Sequence, residues 1–228
     1  MLLLAIDTSG KQGSIALARA GQRSVEGNDF EVIETVPLVG GTFSAQLVPQ
    51  ISELLFKRGF TKHDIGAFAV VSGPGSFTGL RIGLAAVKAL AEVLEKPIAA
   101  VSLLELCAFT SGMQGKIMAV VDAGRGDVYV GEYEIPVRVK QIPREGIRNR
   151  SEFLSHARGW IIVTPDSALA EAASTAGLSV SMLAPISSDA VARLGWRKIQ
   201  SEETVTAEPL EANYIRRTDA EILEKSRS

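Results

Sequence analysis

A pattern that occurs twice, about half the chain apart, restricts the fold of this 228-residue protein more than any other feature. Residues 3–9 (LLAIDTS) and 118–124 (MAVVDAG) are apolar runs that end in an aspartate followed by two small residues. Since Asp commonly forms turns, a chance match is one explanation. The other is duplication of an α/β unit, which the order of elements after each Asp favours: three strands, then alternating helices and strands.

Apolar periodicity locates the elements of both units. In the first half we predict strands at 2–9, 14–20, 30–38, 67–73 and 97–102, with helices at 44–58 and 81–96. In the second half we predict two strands within 116–135, strands at 137–143 and 160–166, and helices at 168–177 and 187–203. Residues 208–228 have mixed charge and indicate a surface tail, except for 212–217. The predicted fold class is α/β with two related small lobes, at residues 1–110 and 111–228.

Asp7 and Asp122 are candidates for a shared binding site. If the halves are related, the two aspartates face a cleft between them. In duplicated folds of this kind, paired acidic turns flank the phosphates of a nucleotide and its magnesium, because a hard cation takes carboxylate or water oxygens as ligands.

A glycine-rich segment, SGPGSFTGLRIG at residues 72–83, follows a predicted buried strand and precedes a helix. Its backbone N–H groups could converge at the helix N-terminus and hold an anion. The spacing matches neither the P-loop nor the dinucleotide fingerprint. The alternative is a turn in which glycine lets a strand pack tightly against a helix or a partner. The candidate nucleotide-binding or anion-binding residues are Asp7, Thr8, Ser9, Gly73, Gly75, Ser76, Thr78, Gly79 and Asp122.

Few side chains are available for metal or redox chemistry. Cys107 is the single cysteine, and the two histidines, His63 and His156, lie far apart in sequence. This inventory excludes an internal disulfide, cysteine-cluster metal sites and a metalloprotease centre, so we predict no metal site. Cys107 lies in an apolar run and is predicted to be a small buried hydrophobe.

Net charge and hydropathy indicate whether the chain is expected to bind nucleic acid or to cross a membrane. The formal net charge of −2 weighs against a nucleic-acid surface of its own, so another protein would have to hold any RNA partner. No apolar run approaches the roughly 18 residues that a membrane span needs. We therefore predict a cytoplasmic protein that does not contact a membrane.

Five motifs together carry a family resemblance. They are IDTS (6–9), SGPGSFTGLRIG (72–83), SLLELCA (102–108), VDAGRGDVY (121–129) and YIRR (214–217). They resemble the TsaB family, the non-catalytic partner in bacterial synthesis of threonylcarbamoyladenosine in tRNA. The similarity is almost continuous in the N-terminal half and sparse in the C-terminal half. Two departures are Phe43, where relatives often have His, and Gly124, where Arg usually follows the alanine.

The resemblance implies the actin-like ATPase and sugar-kinase (ASKHA) fold, in agreement with the duplication. It also implies a subunit that binds and activates a catalytic relative, TsaD, with the ATPase TsaE joining the assembly and tRNA contacted only through the complex. The chain would form a homodimer when TsaD is absent. No cofactor is required, and ATP or ADP at the cleft or the complex interface is left open. TsaD is expected to hold its metal through two histidines on one helix, and neither His63 nor His156 has such a companion.

Helix 81–96 is apolar on nearly every side, as expected of a helix buried on two faces. Small residues at i+3 and i+7 from Ile82 would let a second helix approach closely. That second helix belongs either to a partner or to segment 44–58 of the same lobe. The predicted partner interface is Ile82, Ala85, Lys88, Ala89 and Glu92.

A second functional hypothesis is an ATP-dependent small-molecule phosphotransferase of the sugar-kinase type, with Asp7 and Asp122 around magnesium. Against it, no general-base Asp lies in a glycine-rich catalytic loop, and the lobes are small for a sugar site.

Overall fold

The same order of elements occurs twice in a computed structural model that describes residues 1–21, 30–135 and 144–216. The first half contains β1 (Leu2–Asp7), β2 (Gly13–Ala20), β3 (Phe30–Leu38), α1 (Phe43–Lys57), β4 (Ile65–Gly73), α2 (Phe77–Leu94), β5 (Ile98–Ser102) and α3 (Leu103–Thr110). The second contains β6 (Gly115–Gly124), β7 (Asp127–Ile135), β8 (Arg144–Asn149), α4 (Arg150–His156), β9 (Ile161–Thr164), α5 (Ser167–Thr175), β10 (Ser179–Met182) and α6 (Ser188–Gln200). A short 3-10 turn, Lys62–Asp64, precedes β4.

The two five-stranded sheets have the same topology. Their strand orders are β3-β2-β1-β4-β5 and β10-β9-β6-β7-β8. In each sheet the first strand is central, antiparallel to the second strand and parallel to the fourth. The second sheet therefore repeats the first strand for strand, and the predicted α/β fold of two related halves is confirmed. Asp7 ends β1 and Asp122 lies near the end of β6, at equivalent places in the two sheets.

Helices α2 and α6 cover opposite faces of the first sheet. A Cβ added to Gly195 of α6 would lie 2.4 Å from the Cβ of Ala69, whereas one added to Gly83 of α2 would lie 3.7 Å from the side chain of Ile6. Ala69 is the register partner of Ala5, so these two side chains point to the same face of the sheet. Ile6 follows Ala5 and points to the opposite face, because successive residues of a strand alternate. Helix α1 contacts α2 on the Ile6 side, so the sheet lies between helical layers.

The last helix of each half packs across the middle of the molecule. Helix α6 comes from the second half of the chain but contacts all five strands of the first sheet, and α3 contacts β6 and β7 of the second sheet. Cys107 of α3 is completely buried in that contact, as predicted for a small hydrophobe. The predicted lobe boundary between residues 110 and 111 lies between α3 and β6. It stays a prediction, because α3 and α6 both pack across it.

Some elements differ from those predicted. Helix α2 begins at Phe77, four residues before the predicted start, because Ser76 caps it by accepting a hydrogen bond from the N–H of Gly79. Helix α3 and strand β10 were not predicted, since each is short and neither has a clear apolar period. The predicted strand 137–143 lies outside the described residues. Within the described ranges, no helix is both long and apolar enough to cross a membrane.

Candidate functional site

The turn after β1 contains three buried polar residues. Asp7, Thr8 and Ser9 are each at most 5% exposed. The Oδ1 atom of Asp7 accepts hydrogen bonds from the backbone N–H of Ser9 (2.8 Å) and from its hydroxyl (2.7 Å). Burial raises the pKa of the Asp7 carboxyl above its ordinary value, and the two bonds from Ser9 only partly oppose that rise. The bonds from Ser9 and the surrounding packing therefore fix Asp7 within the turn.

The glycine-rich loop packs directly on this turn. The Thr8 hydroxyl donates to the carbonyl of Gly79 (2.7 Å), and the N–H of Ser76 donates to the carbonyl of Ser9 (2.7 Å). A Cβ on Gly75 would lie 2.5 Å from the Ser9 carbonyl oxygen, and one on Gly79 would lie 2.0 Å from that of Thr8. Glycine is thus required here for two backbones to meet.

Other members of the predicted anion site have separate surroundings. Gly73 has a φ of +134°. A Cβ there would lie 2.6 Å from the carbonyl oxygen of Asn213. Thr78 is exposed in the first turn of α2. The geometry supports the tight-packing explanation of the glycines, and anion binding by this loop stays a prediction.

Asp122 has surroundings unlike those of its counterpart Asp7. Its side chain is 47% exposed and lies 3.9 Å from the guanidinium of Arg150. In the part of the chain that the structure describes, Asp7 and Asp122 share no hydrogen bond, and no group of three or more His, Cys, Asp or Glu side chains could hold a metal ion. A shared magnesium site, which the phosphotransferase hypothesis needs, therefore stays a prediction.

A segment after α6 covers the glycine-rich loop. We call residues 207–216 the C-terminal strap. Its Asn213 N–H donates to the carbonyl of Ser72 (2.7 Å), and the ring of Tyr214 stacks on Phe77 with centroids 4.9 Å apart. A shallow groove that is open to solvent lies along the strap. The groove is lined by Pro74, Gly75, Phe77, Leu80, Tyr129, Asn213, Tyr214, Ile215 and Arg216.

The predicted interface residues divide between two environments. Ala85, Ala89 and Glu92 are exposed, so α1 contacts α2 without covering them. Ile82 is half-buried. The half-buried Lys88 points its ammonium toward the strap, where it donates to the carbonyl of Leu210 at 2.9 Å.

Both helices on this side carry an outward row at positions i, i+3, i+7 and i+11, and we call the two rows together the α1–α2 face. Val93 of α2 is 72% exposed, and Val48 and Phe56 of α1 are 57% and 86% exposed. Sequence reasoning missed the α1 row, although its spacing equals that of the row beginning at Ile82. The rows are Ala45, Val48, Ser52 and Phe56 on α1, and Ile82, Ala85, Ala89 and Val93 on α2.

The family model that matches this chain and two of its curated relatives concern threonylcarbamoyl modification of tRNA. The model of the family described as TsaD: tRNA N6-adenosine threonylcarbamoyltransferase matches residues 37–193. The chain is 38% identical over 135 residues to the tRNA threonylcarbamoyladenosine biosynthesis protein TsaB of Bacillus subtilis, covering 59% of this chain and 56% of that protein. It is 34% identical over 137 residues to the TsaB of Escherichia coli, covering 59% and 55%. The chain thus spans a little over half the length of these relatives.

A solved structure has the same fold over nearly the whole chain. The structure titled YeaZ from Pseudomonas aeruginosa superimposes with a TM-score of 0.72 and covers 93% of this chain and 99% of that one. The sequences are 24% identical, so this likeness concerns the fold alone.

Proposed function

The chain belongs to the family described as TsaD: tRNA N6-adenosine threonylcarbamoyltransferase, and its curated relatives include TsaB proteins, as its motifs predicted; we therefore propose that it is a non-catalytic subunit that binds and activates a TsaD-type transferase. The activity it serves is the synthesis of threonylcarbamoyladenosine in tRNA. The observation that carries the proposal is the exposed α1–α2 face.

Large apolar side chains on this face favour burial against a partner. Phe56 and Val93 are 86% and 72% exposed, and burying a side chain of this kind contributes about 1.5–3 kcal/mol. Exposed apolar side chains on two helices that contact each other are typical of an interaction site. Ala85 and Ala89 have short side chains, so they let a partner helix approach α2 closely.

The fold suggests how such a partner would dock. A transferase of the same family presents equivalent helices, which could pack against α1 and α2. A second copy of this chain could use the same face about a twofold axis. We therefore propose a heterodimer with the TsaD-type protein and a homodimer when that partner is absent, both in the cytoplasm. The ATPase TsaE would join the heterodimer, and tRNA would be held by the complex.

The geometry of the buried turn supports leaving the chemistry to the partner. The Asp7 carboxylate accepts two bonds from Ser9 beneath the surface, and the loop around Gly75 and Gly79 packs on the backbone of the same turn. These residues have a structural role in joining β1 to α2.

Substitutions on the α1–α2 face test the proposal directly. In Ala85→Arg and Ala89→Arg, a bulky cation projects into an apolar contact. The Kd for a purified TsaD-type partner, measured by titration calorimetry, should rise at least about tenfold, which corresponds to ~1.4 kcal/mol. Ala176→Arg is the matched control, because it places the same side chain at an exposed position after α5. An unchanged Kd in folded Ala85→Arg and Ala89→Arg would overturn the proposed interface.

Two further measurements test activation and self-association. The rate of threonylcarbamoyladenosine formation in tRNA, with the TsaD-type protein, TsaE and ATP present, should fall in Ala89→Arg and be kept in Ala176→Arg. Sedimentation equilibrium of the chain alone should show a dimer that Ala89→Arg dissociates. Full activation by Ala89→Arg would contradict the proposed subunit role, and an unchanged dimer would contradict the proposed self-association through this face.

A further inference from the structure

The C-terminal strap makes specific contacts with both halves of the molecule. We propose that it is a clamp that fixes the separation between the carboxyl-terminal edges of the two sheets. The clamp is a property of the isolated chain and does not rest on the partner-binding role proposed above.

The first half of the molecule holds the strap along helix α2. The ammonium of Lys88 donates to the carbonyls of Glu208 (3.3 Å) and Leu210 (2.9 Å). Farther along the strap, Arg81 donates from Nε to the Tyr214 hydroxyl (3.0 Å), while the ring of Tyr214 stacks on Phe77. The strap thus follows α2 toward its N-terminus.

The second half holds the end of the strap through the turn between β6 and β7. The guanidinium of Arg216 lies 2.5 Å from Oδ2 of Asp127 and also donates to the carbonyl of Gly124 (3.3 Å). Its side chain is 19% exposed and that of Asp127 is 36% exposed. Partial burial reduces solvent screening, so this ion pair is stronger than one on an open surface.

Glu145 of β8 connects the strap to both halves. Its Oε2 accepts from the side-chain amide of Asn213 (2.9 Å). Its Oε1 accepts from Tyr133 of β7 (2.7 Å) and from Ser102 (2.5 Å), which ends β5 and caps α3. One carboxylate therefore joins the strap, the second sheet and the connection leaving β5.

The position of these contacts explains why they would act as a clamp. The strap joins the carboxyl end of β4, at Ser72, to the carboxyl end of β6, at Gly124. The carboxyl ends of the strands border the crevice in open α/β sheets. Helices α3 and α6 also join the halves through side-chain packing. The strap adds polar contacts that must break before the two strand ends can separate.

Distance measurements between the halves test the clamp. Cys107 is completely buried, so cysteines placed at exposed Glu53 on α1 and Glu171 on α5 can be spin-labelled selectively. Pulsed electron paramagnetic resonance should give a narrow distance distribution in the otherwise unchanged chain. Tyr214→Ala and Arg216→Ala should each broaden the distribution and shift its mean. Arg158→Ala, an exposed arginine of the second half, is the matched control and should change neither.

Exchanging the charges of Arg216 and Asp127 distinguishes loss of the clamp from a general loss of folding. Arg216→Asp and Asp127→Arg should each broaden the distribution, and the double variant should narrow it again. Hydrogen exchange at the Asn213 N–H, which donates to Ser72, should accelerate in the single variants and slow in the double variant. A distribution in Arg216→Ala and Arg216→Asp equal to that of Arg158→Ala would overturn the proposal, because α3 and α6 would then fix the separation of the two sheets alone.

Discussion

Ser14 and Ser188 form a buried pair of hydroxyls although 174 positions separate them in sequence. The Ser14 hydroxyl donates to that of Ser188 (2.9 Å) and accepts from the Ser188 N–H (2.8 Å), and the Ser188 hydroxyl donates to the Ser14 carbonyl (2.6 Å). These bonds attach the first turn of α6 to β2. They explain how a helix from the second half of the chain is oriented on the first sheet.

Ser188→Ala should lower the free energy of unfolding by about 1–3 kcal/mol, because the Ser14 hydroxyl loses its acceptor in a buried site. Urea denaturation at neutral pH measures the change. Ser201→Ala is the control, since Ser201 is exposed just after α6 and its loss should cost no more than ~0.5 kcal/mol. Equal stabilities of the two variants would show that the hydroxyl pair does not hold α6.

Gly79→Ala should destabilise the first half severely. The new Cβ would lie 2.0 Å from the Thr8 carbonyl oxygen, so β1 or α2 must move. We expect a loss of ~2–4 kcal/mol in the free energy of unfolding, despite the better helix propensity of alanine. Gly146→Ala provides the comparison, because its added Cβ meets nothing within 4 Å. Thermal unfolding should show a large decrease in Tm for Gly79→Ala and almost none for Gly146→Ala; similar values would contradict the packing role.

The sequence predicted the duplication because a local pattern carries it. Asp7 and Asp122 each follow an apolar run at or near the end of a central strand, and that pattern is visible without tertiary contacts. The packing of α3 and α6 across the two halves was not predictable in the same way. The run 103–109 is apolar at every position except Glu105, so it has no period that selects a sheet. The apolar side of α6 is the same whichever sheet it covers.

The candidate site was predictable only in part, for a related reason. Gly75 and Gly79 marked a special backbone conformation, but the sequence left open whether a ligand or another backbone segment approached them. The contacts of the strap could not be predicted from the sequence, because Arg216 and Asp127 are 89 positions apart. Long-range polar contacts between single residues leave no periodic signal in a sequence.

Asp7→Asn should change the pH dependence of stability. Burial raises the pKa of Asp7 above its ordinary value of 3.8, so the native state keeps a proton that the unfolded chain has already lost. The free energy of unfolding should therefore fall as pH rises from 3.8 to the raised pKa. Asparagine keeps an oxygen acceptor for Ser9 and does not titrate.

Urea midpoints measured across this pH range should decline less steeply in Asp7→Asn than in the unchanged chain. Glu171→Gln, which removes an exposed carboxylate from α5, serves as the control and should keep the steeper decline. The same slope in Asp7→Asn and Glu171→Gln would show that Asp7 is not the group responsible.

Cys107 should be unreactive in the native protein. Burial is the main cause that raises the pKa of its thiol from 9.0 to about 12, and the nearby charge of Asp7 adds to the rise. The thiolate is the reactive species, and the native fold both suppresses it and blocks access to it. A disulfide reagent at pH 8 should therefore modify no thiol until denaturant is added, and then one. Glu171→Cys should take up one equivalent in the folded state, because position 171 is exposed. A second equivalent in that variant without denaturant would mean that α3 opens readily and that the contact between the halves is weaker than its burial indicates.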